Sequence, residues 1–216
     1  MNTSARGLFI TVEGVEGAGK STQLAYIEAF LRSADIPLVV TREPGGTPLA
    51  EEIRHLLLTP RDDGMAEQTE LLLMFAARAE HLQRKILPAL EQGQWVLCDR
   101  FTDATYAYQG GGRQLDKSMI RSLEKLVQGK HRPDLTIYLD LSIEVGLERA
   151  RKRGELDRFE REDLGFFQRV RDAYLERADQ LPDIYRIIDA SQSIEVVSSQ
   201  IQSELKSILL QHNRGA

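Results

Sequence analysis

The run Gly14-Val15-Glu16-Gly17-Ala18-Gly19-Lys20-Ser21-Thr22 fits G-x-x-x-x-G-K-S/T, a spacing that carries meaning when a strand precedes it and a helix follows. Both neighbours are present. Leu8-Phe9-Ile10-Thr11-Val12 is an apolar, β-branched run that reads as a buried strand. Leu24, Ile27 and Leu31 recur at helical spacing, so a helix begins near Lys20. Glycines let the loop curl tightly, and the first amides of the helix, lacking intrahelical acceptors, turn toward it. The unit is a cradle for a nucleotide triphosphate. Lys20 is expected to reach the β- and γ-phosphates, and the Ser21 hydroxyl to ligate Mg²⁺.

The remaining pattern extends this unit into an α/β domain. Strand-like runs recur at 38–41, 95–98, 135–141 and 186–189. Between them lie helical stretches at 49–58, opened by Thr47-Pro48, and at 67–91, where Pro88 introduces a bend. Two further helices are expected around 102–108 and 116–128, separated by Gly110-Gly111-Gly112. A helix from Ile143 enters a charged stretch at about 149–163, another runs to about Gln180, and a closing helix covers 194–210. Strands alternating with helices of this length predict a five-stranded parallel sheet covered on both faces, a three-layer sandwich. With 216 residues, no repeat and no linker, the expectation is one domain over 1–216, with the phosphate loop at 14–22 and a lid at about 149–163. Ligands in such sheets collect beyond the carboxyl ends of the strands. The chemistry is therefore expected at 13–21, 42–46, 99–108 and 189–191.

The net charge of −5 argues against broad nucleic-acid binding, so any phosphate must be met by local arginines. Arg42 ends the second strand, Asp99-Arg100 end the third, and Arg78 lies one turn beyond Met74 on the long helix. Guanidinium forks match phosphate oxygens, and several at one sheet edge imply a second phosphorylated ligand facing the loop. Asp99 is expected to contact Mg²⁺ or its water shell. The one cysteine, Cys98, sits in an apolar run and reads as a buried thiol in a reducing compartment. The scattered His55, His81, His131 and His212 make zinc an unsuitable reading. No apolar stretch has membrane-spanning length and no signal-peptide core is present, which predicts a soluble, cytoplasmic protein.

In Glu148–Arg161, Arg149 and Arg153 share a helix face and Gly154 breaks the helix. Such a stretch is either a solvated helix end or a lid that lowers arginines onto the phosphates. Phosphoryl transfer favours the lid, because charge on the moving oxygens must be stabilised and water excluded.

These features together resemble the bacterial thymidylate kinases, members of the phosphate-loop nucleoside monophosphate kinases, along nearly the whole chain. The resemblance is carried by FITVEGVEGAGKST, TREPGGTPLAEEIR, ELLLMFAARAEHL, the DRF of Asp99 to Phe101, AYQGGGR ending at Arg113, RPDLTIYLDL and the lid with IDAS. It implies transfer of the γ-phosphate of ATP to dTMP in a Mg²⁺-dependent homodimer. By the same resemblance, Gly14, Val15, Glu16, Gly17, Ala18, Gly19, Lys20, Ser21 and Thr22 would hold ATP, with Arg149. Arg100, with Arg42 nearby, would clamp the dTMP phosphate. Arg78, assisted by Arg54, would position thymine, Gln109 would read its edge, and Thr105 would complete the pocket. Tyr108 would lie close to C2′ of the sugar, where a ribose hydroxyl would collide. Glu16 would organise a lid arginine or a Mg²⁺-bound water rather than act as a base. Gly17 stands where some members carry an arginine, which implies a catalytic arginine from the lid: Arg153 first, then Arg149 or Arg151. Many members stack a phenylalanine on thymine four residues before Arg78; here that position is Met74, followed by Phe75, and either could cover the base.

Other classes fit less well. A guanine-reading switch needs an Asn-Lys-x-Asp element, and the only asparagines are Asn2 and Asn213. A nucleoside kinase would need a carboxylate to take a hydroxyl proton and would have no use for an arginine clamp. A kinase for another monophosphate stays open, whereas a plain binding module explains neither the second anion site nor the lid.

Overall fold

The computed structural model describes residues 6–151, 158–159 and 161–215. Among them, five strands form one parallel sheet in the order β2-β3-β1-β4-β5: β1 Phe9–Gly14, β2 Leu38–Arg42, β3 Trp95–Asp99, β4 Leu135–Asp140 and β5 Tyr185–Asp189. Residues of β1 are buried throughout, as the central strand of a sheet covered on both faces must be. One face packs Ile10, Val12, Ile137 and Leu139 against Ile27 and Leu31 of α1 (Lys20–Ser33) and Ile201 and Leu205 of α9 (Ile194–Gly215). The other packs Phe9, Val96 and Cys98 against Leu82, Ile86 and Leu90. Cys98 is thus a buried free thiol, as its apolar surroundings in the chain predict.

The remaining helices are α2 (Pro48–Leu58), α3 (Glu67–His81), α4 (Leu87–Glu91), α5 (Thr102–Thr105), α6 (Lys117–Gln128), α7 (Ile143–Arg151) and α8 (Leu164–Gln180). The Thr47 side chain caps α2 by accepting from the Ala50 amide at 3.3 Å, with Pro48 in the first turn. Near Pro88 the long helix changes type rather than running on as an uninterrupted α-helix. Between α3 and α4 the turn Leu82–Ile86 widens to a π-helix, with the Leu87 amide bonded to the Leu82 carbonyl. The widened turn lies just ahead of the proline, which cannot donate to the preceding turn.

The three glycines behave differently from the expectation. Gly110-Gly111-Gly112 do not separate two helices; α5 runs on through them as a π-helical segment, Tyr106–Gly112. A Cβ at Gly111 would strike the Arg169 carbonyl and one at Gly112 the Phe166 ring, so both keep this segment close against α8. The glycines serve helix packing rather than chain reversal.

The register aligns Val12 with Asp99, Arg42 with Asp99, and Gly14 with Leu139. The loop after β1 and the Asp99-Arg100 turn after β3 therefore meet at one edge.

Candidate active site

The phosphate loop leads directly into α1, whose N-cap, Gly19, is left-handed and carries no side chain to cap the helix. No acidic residue occupies the first turn. The leading amides and the positive end of the helix dipole are thus left for an anion. Val15 and Ala18 are buried in the loop wall, and Lys20 Nζ donates to the carbonyls of Gly14 at 3.0 Å and Val15 at 3.2 Å. Gly17 has φ +73°, and a Cβ there would collide with the carbonyl of Gly146 in α7. Gly146 in turn packs on the Glu16 carbonyl. Helix α7 thus sits backbone to backbone on the loop, which excludes any side chain at position 17.

Ser21 and Thr22 lie exposed on the first turn of α1. At the end of β3, Asp99 has a buried Oδ1 with no hydrogen-bond partner. A hydroxyl and a carboxylate oxygen are hard donors that suit Mg²⁺, which takes few protein ligands and completes its octahedron with phosphate and water. Among the described residues no cluster of three or more His, Cys, Asp or Glu could hold a metal.

Glu16 joins the loop to the turn after β3. Its Oε1 accepts from Arg100 Nη2 at 2.5 Å and from the Tyr108 hydroxyl at 2.9 Å, and its Oε2 lies 3.9 Å from Lys20 Nζ. Burial would raise the Glu16 carboxyl, but the Arg100 and Lys20 cations outweigh it and hold it at about 2. Glu16 is therefore a fixed carboxylate and a poor base. Arg100 itself takes a left-handed backbone, φ +66°, rare for a side chain of its size. Two bonds hold that turn: the Arg100 amide to the Val12 carbonyl at 3.0 Å, and the Phe101 amide to Glu13 Oε1 at 2.7 Å.

A cleft opens beside this junction, and Glu16, Arg54, Met74, Arg78, Arg100, Thr105, Tyr108 and Gln109 all line it. Arg78 is almost wholly buried. Its Nε donates to Glu43 Oε2 at 2.7 Å and its Nη2 to Thr105 Oγ1 at 2.9 Å, while Nη1 is buried without a partner. Arg100 Nε is likewise unpartnered. Burying such donors is costly unless something meets them, so both point to a polar ligand. Arg54 donates to the Pro44 carbonyl at 2.9 Å. Burial first, then neighbouring Arg42 and Arg100, lowers its pKa, a sign of cations gathered for an anion.

Two expected residues lie elsewhere. Phe75 does not face the cleft; it packs with Leu71, Tyr106 and Ile120 beneath the Arg78 guanidinium, 4.9 Å away. Successive helical residues are about 100° apart, so with Met74 at the cleft its neighbour turns into the core. Arg42 lies outside the cleft as well, paired with Glu51 at 2.9 Å and half exposed, along an open groove that also reaches Asp99. Its strand-end position puts it near the site, but the short Glu51 contact draws the fork away. Arg149 is exposed and donates to the Ala190 carbonyl at 3.4 Å, near the end of β5. Arg153 lies outside the described residues, as do 152–157 and 160 of the expected lid, and nothing is described of the Arg151 side chain.

Other lining residues escaped the sequence reading. Glu43, Pro44, Leu58 and Phe159 also line the cleft. Glu43 anchors both Arg78 and His81, the latter at 3.0 Å from Oε1. An acidic residue just past a strand end was a signal for it; an aromatic within a charged stretch was one for Phe159.

Glu13 was also missed as an individual residue. Fully buried, it accepts from the Phe101 amide and, at 2.7 Å, from the Tyr174 hydroxyl. Burial, reinforced by Asp103, pushes its carboxyl up to about 8. The native chain thus keeps a proton that the unfolded chain releases near 4.5, so stability falls as pH rises between these values. Glu13→Gln retains an acceptor for Phe101 and removes the titration. It is expected to flatten this fall, which amounts to up to about 1.4 kcal/mol per pH unit. Thermal melts of both proteins between pH 5 and 8 test this, and parallel slopes would refute it.

The thymidylate kinase family model matches residues 12–201. The thymidylate kinase of Ectopseudomonas mendocina (strain ymp) is 61% identical over 203 residues, covering 94% of this chain and 97% of that protein. The thymidylate kinase of Teredinibacter turnerae (strain ATCC 39867 / T7901) is 57% identical over 203 residues, covering 94% and 99%. Among solved structures, thymidylate kinase from Ehrlichia chaffeensis superposes with a TM-score of 0.76 at 34% identity, covering 93% of this chain and 99% of that one.

Proposed function

The chain belongs to the thymidylate kinase family, and we propose from that premise how its residues carry out the family's reaction. The enzyme transfers the γ-phosphate of ATP to dTMP, giving dTDP and ADP. A dTMP phosphate oxygen attacks the γ-phosphorus, its P–O bond forms, and the bond to the β-phosphate oxygen breaks. The attacking oxygen is already anionic, so no base is required, in keeping with the acidic Glu16.

The observation that carries the assignment of roles is the shared carboxylate of Glu16, 2.5 Å from Arg100 and 3.9 Å from Lys20. It links the loop for the donor to the guanidinium for the acceptor. In this reading the loop amides and Lys20 bind ATP, and Arg100 with Arg54 meets the dTMP phosphate. Arg78 Nη1 and Gln109 take the thymine edge, and Met74 covers the ring. The Tyr108 hydroxyl, 2.9 Å from both Glu16 Oε1 and Arg100 Nη2, holds its ring as a stiff wall against a ribose 2′-hydroxyl. Ser21 and Asp99 would hold Mg²⁺, whose chemistry is to neutralise the phosphate oxygens.

We assign the chain to one catalytic unit with 149–163 as its lid, and place it in the cytoplasm. Among the described residues no helix is long and apolar enough to cross a membrane. We further propose a homodimer through α3 and α6, whose Leu72 and Leu126 are 56% and 80% exposed.

An ADP-release assay with dTMP, UMP, CMP, AMP and thymidine tests the substrate reading. The rate with dTMP is expected to exceed the others by at least about a hundredfold. Equal rates with dTMP and UMP would remove the thymine and deoxyribose assignments.

A further inference from the structure

Glu70 is fully buried in α3, and no role described above uses it. Three groups from separate segments converge on its carboxylate. Gln109 Nε2 donates to Oε1 at 2.8 Å, Arg113 Nε approaches the same oxygen at 3.4 Å, and Arg158 Nη1 lies 2.6 Å from Oε2. An ion-paired carboxylate offers acceptors only. Gln109 must therefore give Glu70 its amino group, which leaves its carbonyl oxygen for the cleft it lines. A carbonyl accepts from a ring N–H and repels a ring nitrogen lone pair. Thymine carries the N–H at N3; cytosine carries the lone pair.

The second oxygen has a different task. Arg158 also donates through Nε to the Leu57 carbonyl at 2.8 Å, and its guanidinium lies 4.5 Å from the Phe159 ring. Phe159 lines the cleft and meets Tyr108 edge-on at 5.8 Å. Glu70 therefore seats the segment that walls the cleft while it orients the amide at the base.

We propose that Glu70 is a positioning residue for base selection: one oxygen fixes Gln109 as an acceptor for a pyrimidine N3–H, and the other locks the Phe159 wall through Arg158. The inference rests on the dTMP reading above. It makes discrimination between thymine and cytosine monophosphates a property of a residue that touches neither.

Glu70→Gln tests it directly. A glutamine at 70 can donate to the Gln109 carbonyl, which lets that amide turn its amino group to the cleft. The ratio of kcat/KM for dTMP over dCMP is expected to fall at least about tenfold. An unchanged ratio in a folded variant overturns the proposal, whereas a wild-type enzyme inert toward dTMP would instead sink the functional reading. If Glu70→Gln does not fold, Arg158→Met leaves the Gln109 bond in place and tests the second oxygen. It is expected to raise the KM for dTMP at least about fivefold with the dTMP/dCMP ratio preserved. An unchanged KM, or a ratio that collapses, overturns the proposal.

Discussion

Arg100→Ala is expected to lower kcat/KM for dTMP by at least about a thousandfold, more than loss of a single neutral donor would cost. The reason lies in what remains. Glu16 is kept ionised by Arg100 and Lys20 together, and it lines the cleft. With Arg100 gone, an incoming phosphate dianion meets that carboxylate without the guanidinium between them, so attraction gives way to repulsion. Arg100→Lys keeps the charge but loses the planar guanidinium, whose Nε stands unpartnered for a ligand while Nη2 meets Glu16 and Tyr108, so an intermediate loss is expected. Steady-state kinetics of both variants, beside thermal melts showing that they fold, decide the point. A loss of less than about tenfold in Arg100→Ala would move the phosphate clamp to other residues.

Arg78→Met is expected to destabilise the fold by about 3–5 kcal/mol, since it strands a buried carboxylate. Side chains of Arg78 and Glu43 are each 3% exposed, and the Nε–Oε2 contact is 2.7 Å. Water cannot replace the missing guanidinium there, and His81 is the remaining ionisable neighbour at 3.0 Å. At this size the loss corresponds to a melting shift of roughly 6–20 °C. Adding Glu43→Gln to Arg78→Met removes the stranded charge and is expected to recover at least about 1 kcal/mol. A denaturation series on the two single variants and the double variant measures this coupling. Additive losses would show that the pair does not act as a unit.

Much of this architecture was readable from the chain. Apolar runs such as Phe9–Gly14 and Trp95–Asp99 have to be strands, because each is buried on both faces and lies between helical repeats. The loop motif and the strand-end arginines located the site edge. One expectation failed for a tertiary reason. The triple glycine looked like a break because glycine usually ends helices, yet its lack of side chains is what α8 packs against. Arg42 ends its strand as read, and the structure adds the Glu51 carboxylate 2.9 Å from its guanidinium. The partners that decide the glycines' role, Arg169 and Phe166, are remote in sequence.

Local order along the chain was enough to determine the sheet, the triphosphate cradle and the presence of an anion-binding edge. These depend on periodicity and on residues adjacent in sequence, where covalent spacing dictates geometry. Tertiary structure alone decided which of Met74 and Phe75 meets the cleft, that Glu13 holds the turn at Arg100, and that Glu70 gathers Gln109, Arg113 and Arg158. Those contacts join residues separated by 39 to 88 positions, and only packing can bring such partners within hydrogen-bonding reach.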